Sequence, residues 1–206
     1  MAVPAARDEG EDVSRRRGVL GRAAPGRLGG PVLGLVLAIG LSGCGLVGGP
    51  RTVAANVPDV MTVTSPVIPR GMIGRAYTCR GGGKSPAIRW SGAPPGTKTK
   101  SLALVMDDAA APITPYIYWI VFNIGPQATD IPDGQIPPGA RQADNSKGKP
   151  AYDAPCPANP RHGYRFTVYA LSSTLKLGDG VSAKTAWLAI AHAAIARGRL
   201  TVTASP

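Results

Sequence analysis

Ser101-Leu102-Ala103-Leu104-Val105-Met106-Asp107-Asp108, followed beyond the turn at Ala109 to Pro112 by Ile117-Tyr118-Trp119-Ile120-Val121-Phe122-Asn123-Ile124, is the stretch that decides the fold. Leu102 to Met106 and Ile117 to Ile124 are almost wholly apolar, as expected of central strands covered on both faces. Around them lie further short apolar or alternating runs separated by Pro and Gly, the pattern of an antiparallel β protein. Strands are expected at Met61 to Ser65, Ala76 to Thr78, Ala87 to Trp90 and Tyr164 to Leu171. Asp130 to Pro160 is dense in Pro, Gly, Asn and Asp and reads as one long loop, functional or disordered by its length and expected to be ordered if Cys156 is bridged. Near the end, Ser182 is an N-cap, Ala183 to Arg197 a helix with Trp187, Ile190, Ala191, Ala194 and Ile195 on its apolar face, and Gly198 its stop. Leu200 to Ala204 then forms a short final strand.

The first 43 residues have the three parts of an export signal. These are the basic Arg15, Arg16, Arg17, Arg22 and Arg27, an apolar run from Leu28 to Leu41, and small residues before Cys44. Leu41-Ser42-Gly43-Cys44 resembles a bacterial lipobox, which implies diacylglycerol on the Cys44 thiol and cleavage just before it. The alternatives are an ordinary secretory signal or a short membrane helix, for which the run is short and broken by Gly34 and Gly40. Ser14 to Leu20 is similar to a twin-arginine signal. Residues 44–60, rich in Gly, Pro, Ala and Val, read as a tether, and 61–206 as the folded domain.

The leader holds six arginines against four acids, so the remainder keeps +9 of the chain's net charge of +11. Such a chain at a membrane surface is attracted to anionic headgroups or acidic wall polymers. Nucleic acid is not expected as a partner, because the basic residues are scattered with no dense run. With Cys44 lipidated, Cys79 and Cys156 remain as an even pair in an oxidising compartment, either bridged or as two free thiols. A bridge closing about 77 residues adds roughly 4 to 5 kcal/mol on the chain-entropy account.

Phosphate-cradling loops, nucleophile elbows, dinucleotide fingerprints and metal-spaced histidine pairs are all absent from the sequence, and no metal or cofactor is expected. Of the two histidines, His192 lies within the expected helix. His162 follows the Pro-rich loop and enters a strand, where a side chain can reach a pocket mouth. Asp107 and Asp108 end an apolar strand, and strand neighbours point to opposite faces, so one of them can face a cavity.

Several blocks in order then resemble one family. They include Tyr77-Thr78-Cys79, Trp90-Ser91-Gly92, Ser101 to Asp108, Trp119 to Ile124, Asn145-Ser146, Pro155-Cys156-Pro157 and His162 to Leu171. They are similar to the phosphatidylethanolamine-binding protein family in its bacterial, Raf-kinase-inhibitor-like branch. The resemblance covers about residues 61–204. It implies a mainly β fold, an antiparallel β-sandwich with a C-terminal helix, and a small pocket for phosphate or phospholipid headgroups. Carried over by position, the pocket residues are Asp108, Pro155, His162 and Tyr164. Two departures stand out. The family's second carboxylate is lost in Asp108-Ala109-Ala110-Ala111-Pro112, and its other pocket histidine is Tyr118 here. Tyr118 can still donate a hydrogen bond, without a positive charge.

The resulting expectation is a lipid-anchored, extracytoplasmic, non-catalytic protein whose pocket takes a small anion or phospholipid headgroup. Its rivals are a protein-interaction or protease-inhibitor module acting through Asp130 to Pro160, and a small hydrolase using His162 as base. The hydrolase has no evident nucleophile or metal.

Overall fold

Alternation divides the side chains of β3 (Ser101–Asp108) between two cores. Leu102, Leu104 and Met106 enter one of them, while Ala103 and Val105 enter the other, so both faces of the strand are buried. In this computed structural model residues 57–96, 98–110, 115–157 and 162–204 are described; the leader, Cys44 and residues 44–56 lie outside the described residues. β3 lies at the centre of a five-stranded antiparallel sheet in the order β6-β4-β3-β7-β8, with β4 Ile117–Ile124, β6 Arg141–Ala143, β7 His162–Leu171 and β8 Ala194–Ala204. A three-stranded sheet, β1 (Thr62–Thr64), β2 (Ile88–Ser91) and β5 (Asp130–Ile131), contributes Val63, Ile88, Trp90 and Ile131 to the first core. Helix α1 (Ala183–Ala193) covers the opposite face of the large sheet through Ala186, Ile190 and Ala193. The expected antiparallel β-sandwich with a C-terminal helix is therefore the observed architecture, with its two central strands as read from the sequence.

Two bulges in β4 set the geometry that follows. Met106 pairs with Trp119 but Asp107 with Ile117, so Tyr118 is an extra residue that reverses the alternation at the end of the strand. At the other end Leu102 pairs with Ile124 and Leu104 with Val121. There Asn123 adopts a left-handed conformation, φ 56°, which Asn tolerates better than most residues. Its side-chain amide donates to the Leu175 carbonyl at 2.9 Å and accepts from the Leu175 N–H at 2.8 Å, tying the bulge to the segment before α1.

Four expectations need correction. The Ala76 to Thr78 strand is a 3-10 turn, Arg75–Tyr77, because the Thr78 N–H and hydroxyl both fold back onto the Arg75 carbonyl. The long loop carries β5 and β6, short strands recruited by β2 and β4 that its polar sequence does not announce. The folded part extends before Met61, since the Arg197 N–H donates to the Pro58 carbonyl and Asp59 pairs with Arg197 and Arg199. The C-terminal helix ends at Ala193 rather than Arg197. Ser182 does cap it, its hydroxyl accepting the Thr185 N–H. From Ala194 the chain pairs with the whole length of β7, from Leu171 opposite Ala194 to His162 opposite Ala204. Ladder hydrogen bonds along that open edge override the helix propensity of Ala194-Ile195-Ala196.

Gly198 accordingly has another role than helix stop. The Met61 N–H donates to the Arg197 carbonyl at 3.0 Å, and a Cβ on Gly198 would lie 2.3 Å from the Met61 carbonyl oxygen. The close backbone approach requires a residue without a side chain. Gly198→Ala is therefore expected to destabilise the protein by about 1 to 3 kcal/mol through overpacking against backbone, as measured by urea unfolding. A loss below about 0.5 kcal/mol would contradict this account of the crossing.

Candidate functional site

The last two residues of β3 point to opposite sides of the large sheet and meet different environments. Asp107, 1 % exposed, lies across the ladder from Arg165, whose Nε donates to its Oδ1 at 3.0 Å while a terminal nitrogen donates to Oδ2. Burial pushes the Asp107 carboxyl above its usual range, against the pull of the Arg165 guanidinium. Asp108 lies across from Tyr164 and faces the side where the small sheet packs. Its Oδ2 is 2.8 Å from His162 Nε2, and its Oδ1 accepts the Ala110 N–H at 2.8 Å. Both oxygens are thus held, which fixes the carboxylate against the imidazole.

His162 and Tyr164 are two residues apart on β7 and so share a face. The bulge at Tyr118 turns both Tyr118 and Tyr116 toward the same space. Ring centroids are 4.6 Å apart for Tyr116 and Tyr118, 5.2 Å for Tyr118 and Tyr164, and 5.1 Å for His162 and Tyr164, a continuous arc of aromatic contacts. These residues, with Asp108, Cys156 and Pro157, line a cavity of about 330 Å³. Cys156 is bonded to Cys79, with Cα atoms 5.2 Å apart, and the Cys79 N–H donates to the Pro155 carbonyl at 3.1 Å. The bridge holds this wall of the pocket to the turn at Arg75–Tyr77.

Four of the five expected ligand residues, Asp108, Tyr118, His162 and Tyr164, line the one cavity; Pro155 does not, and Pro157 lines it instead. Pro155 is buried, and its carbonyl serves the disulfide turn. Tyr116 was not foreseen. Its period-two spacing from Tyr118 was the available signal, and the approach of Asp153, 37 residues away, was not legible at all. The Tyr116 hydroxyl donates to Asp153 Oδ2 at 2.6 Å, and Lys147 Nζ holds the other oxygen at 2.9 Å.

Protonation follows from burial. The Tyr164 hydroxyl is pushed up to about 12 by burial and then by the charge of Asp108. Tyr116 is likewise pushed up to about 12 by burial and by its bond to Asp153. Burial raises Tyr118 too, helped by Tyr164 and Asp108. All three stay neutral near pH 7. Tyr118 and Tyr164 can donate to a guest, whereas Tyr116, its proton committed to Asp153, offers only an acceptor. No Lys or Arg lines the cavity among the described residues, and no cluster of three metal-binding side chains occurs among them.

Comparison with known proteins gives one consistent result. The sequence model of the phosphatidylethanolamine-binding protein family matches residues 63–205. A UPF0098 protein of Mycobacterium bovis is 38% identical over 187 residues, covering 82% of this chain and 90% of that protein. LppC of Mycobacterium tuberculosis, named as a candidate lipoprotein, is 37% identical over 188 residues, covering 82% and 92%. Among solved structures, a phosphatidylethanolamine-binding protein homologue from Chlamydia trachomatis superposes with a TM-score of 0.62 at 33% identity, covering 70% of this chain and 97% of that one. YbcL of Escherichia coli, described as a member of the mammalian PEBP family, gives 0.65 at 27% identity, covering 71% and 99%.

The buried pair behind the pocket yields a pH-dependent expectation. Because folding holds the Asp107 carboxyl above its unfolded value, the folded chain binds a proton more readily there, and the stability this group contributes at low pH is lost as pH rises. Arg165→Met leaves the burial unopposed. It is expected to cost about 3 kcal/mol near pH 7, the low end for a buried pair because Arg165 is partly exposed, and clearly less near pH 4.5, as read by urea unfolding at both values. Equal losses at the two would contradict the pairing.

Proposed function

Since this chain belongs to the phosphatidylethanolamine-binding protein family, we propose that its pocket binds a small anionic or phospholipid-headgroup ligand without turning it over, in a domain tied to the outer face of the membrane through lipidated Cys44. One observation carries the reading. A fixed Asp108–His162 pair and two protonated tyrosine hydroxyls converge on a single cavity of about 330 Å³, large enough for a headgroup. His162, Tyr118 and Tyr164 are suited to donate to phosphate oxygens. Asp108 and the Tyr116 oxygen are suited to receive an ammonium.

With no Lys or Arg in the described lining and one carboxylate present, the pocket carries little net positive charge. A zwitterionic phosphoethanolamine headgroup therefore suits it better than free phosphate. Tyr118, standing where the family has a histidine, shifts the balance further that way, because it keeps the hydrogen bond and removes a charge. Ala110, standing where the family has a second acid, donates its backbone N–H to Asp108 and so helps to orient the remaining carboxylate.

The non-catalytic reading has chemical support. The Cys156 sulfur is taken up in the bridge to Cys79, and the described lining offers no serine, free thiol or metal cluster beside His162. Export as a lipoprotein is supported by the lipobox-like Leu41 to Cys44 and by the name of LppC. A disulfide suits the oxidising compartment that export implies.

Calorimetric titration with phosphoethanolamine, inorganic phosphate and acetate tests the reading. Phosphoethanolamine is expected to bind saturably and more tightly than phosphate, with no phosphate released, and His162→Ala to weaken it about tenfold or more, the worth of one hydrogen bond to a charged group. Absence of binding by the parent protein, or binding indifferent to His162→Ala, would overturn it.

A further inference from the structure

A second concavity, larger than the pocket at about 830 Å³, lies along the segment between β1 and β2 and is lined by Val67, Pro69, Arg70, Met72, Ile73, Gly74, Arg75, Thr78 and Arg80. Three of these nine residues are arginines and none is acidic. Among the described residues none of the three arginines is ion-paired, although seven ion pairs form elsewhere. All three are exposed. The remainder of the lining is largely apolar, and Met72 is 44 % exposed, one of three large apolar side chains so open to solvent among the described residues. Unpaired guanidinium groups beside exposed apolar side chains suit a partner that is anionic at one end and apolar at the other.

The segment is built to hold this arrangement. Arg70 and Gly71 both take left-handed conformations, φ 54° and 71°. The next residues are pinned, with the Met72 N–H donating to the Pro69 carbonyl at 3.2 Å and the Ile73 N–H to the Thr203 carbonyl at 2.8 Å. Arg75 Nε donates to the Arg80 carbonyl at 3.0 Å, which restrains the Arg75 side chain. The groove also lies at the same end of the large sheet as the pocket. Met72 bridges to Thr203, whose ladder partner is Gly163, the neighbour of His162. Cys79, between Thr78 and Arg80, is bonded to Cys156 of the pocket wall.

We propose that this groove docks acidic phospholipid, its arginines taking the phosphate and its apolar lining the glycerol and upper acyl carbons, so that this end of the domain rests on an anionic membrane. Guanidinium groups match phosphate oxygens in a fixed fork, and their stems lie readily along apolar surface. An acidic peptide would satisfy the charge but present carboxylates rather than a phosphate, and would reach Met72, Val67 and Pro69 only through apolar side chains of its own. The proposal does not require the aromatic pocket to bind anything.

Amide hydrogen exchange of residues 67–80 tests it, with the full chain titrated with monomeric dihexanoyl phosphatidylglycerol, dihexanoyl phosphatidylcholine and inorganic phosphate in turn. Only phosphatidylglycerol is expected to slow exchange there saturably. Arg70→Asn combined with Arg75→Gln and Arg80→Gln is expected to weaken that effect roughly tenfold or more, the worth of even one charged hydrogen bond to phosphate. An unchanged melting midpoint shows that the variant folds, and the corresponding triple lysine variant is expected to retain salt-sensitive binding. His162→Ala should leave the effect intact, which separates this site from the pocket. Equal protection by phosphatidylcholine, equal protection by phosphate alone, protection confined to other segments, or full binding by the neutralised variant would each overturn the proposal.

Discussion

The ladder between β3 and β7 is the constraint on which the rest depends. Eight consecutive residues, Ser101 to Asp108, pair in register with Leu171 back to Tyr164. A slip of one residue would exchange the faces of every side chain. In the observed register Asp107 meets Arg165 behind the sheet while Asp108 meets Tyr164 in front of it. A carboxylate pair that looks redundant in sequence is thereby divided between a structural ion pair and a pocket wall. The same ladder presents His162 one alternate position beyond Tyr164, within 2.8 Å of Asp108.

Two further devices complete the pocket without altering that register. The bulge at Tyr118 brings two tyrosines onto the pocket side of β4, where strict alternation would have turned them away. The Cys79–Cys156 bridge fixes a wall that has few ladder hydrogen bonds of its own. Because the Tyr116 hydroxyl donates its hydrogen bond to Asp153, the aromatic arc combines donors with an acceptor, and the proposed preference for a headgroup with charges of both signs rests on this division of roles. The basic groove beyond the disulfide has the opposite character, with cations in excess and none of them neutralised within the groove.

Much of this was legible in the sequence. The two apolar runs fixed the central strands, the cysteine count allowed the bridge, and the order of motifs placed Asp108, Tyr118, His162 and Tyr164. What was not legible depended on tertiary partners. Ala194 to Arg197 has helical composition, yet becomes strand because β7 offers a ten-residue edge. Gly198 looks like a helix stop, yet serves the crossing of Met61. Pro155 and Pro157 are indistinguishable by pattern, and only the disulfide turn decides which of them reaches the cavity. Arg70, Arg75 and Arg80 stand five apart in a segment without periodicity, so nothing in the sequence shows that they share one groove.

The most direct test of the central claim, that Asp108, His162 and the tyrosines act together as a headgroup pocket, is to follow the side-chain NMR resonances of His162, Tyr116, Tyr118 and Tyr164 while phosphoethanolamine is added. All four rings should shift along a single saturation curve, since they line one cavity. Rings that stay in place while resonances elsewhere move would show that the ligand binds at another site and that this constellation is structural.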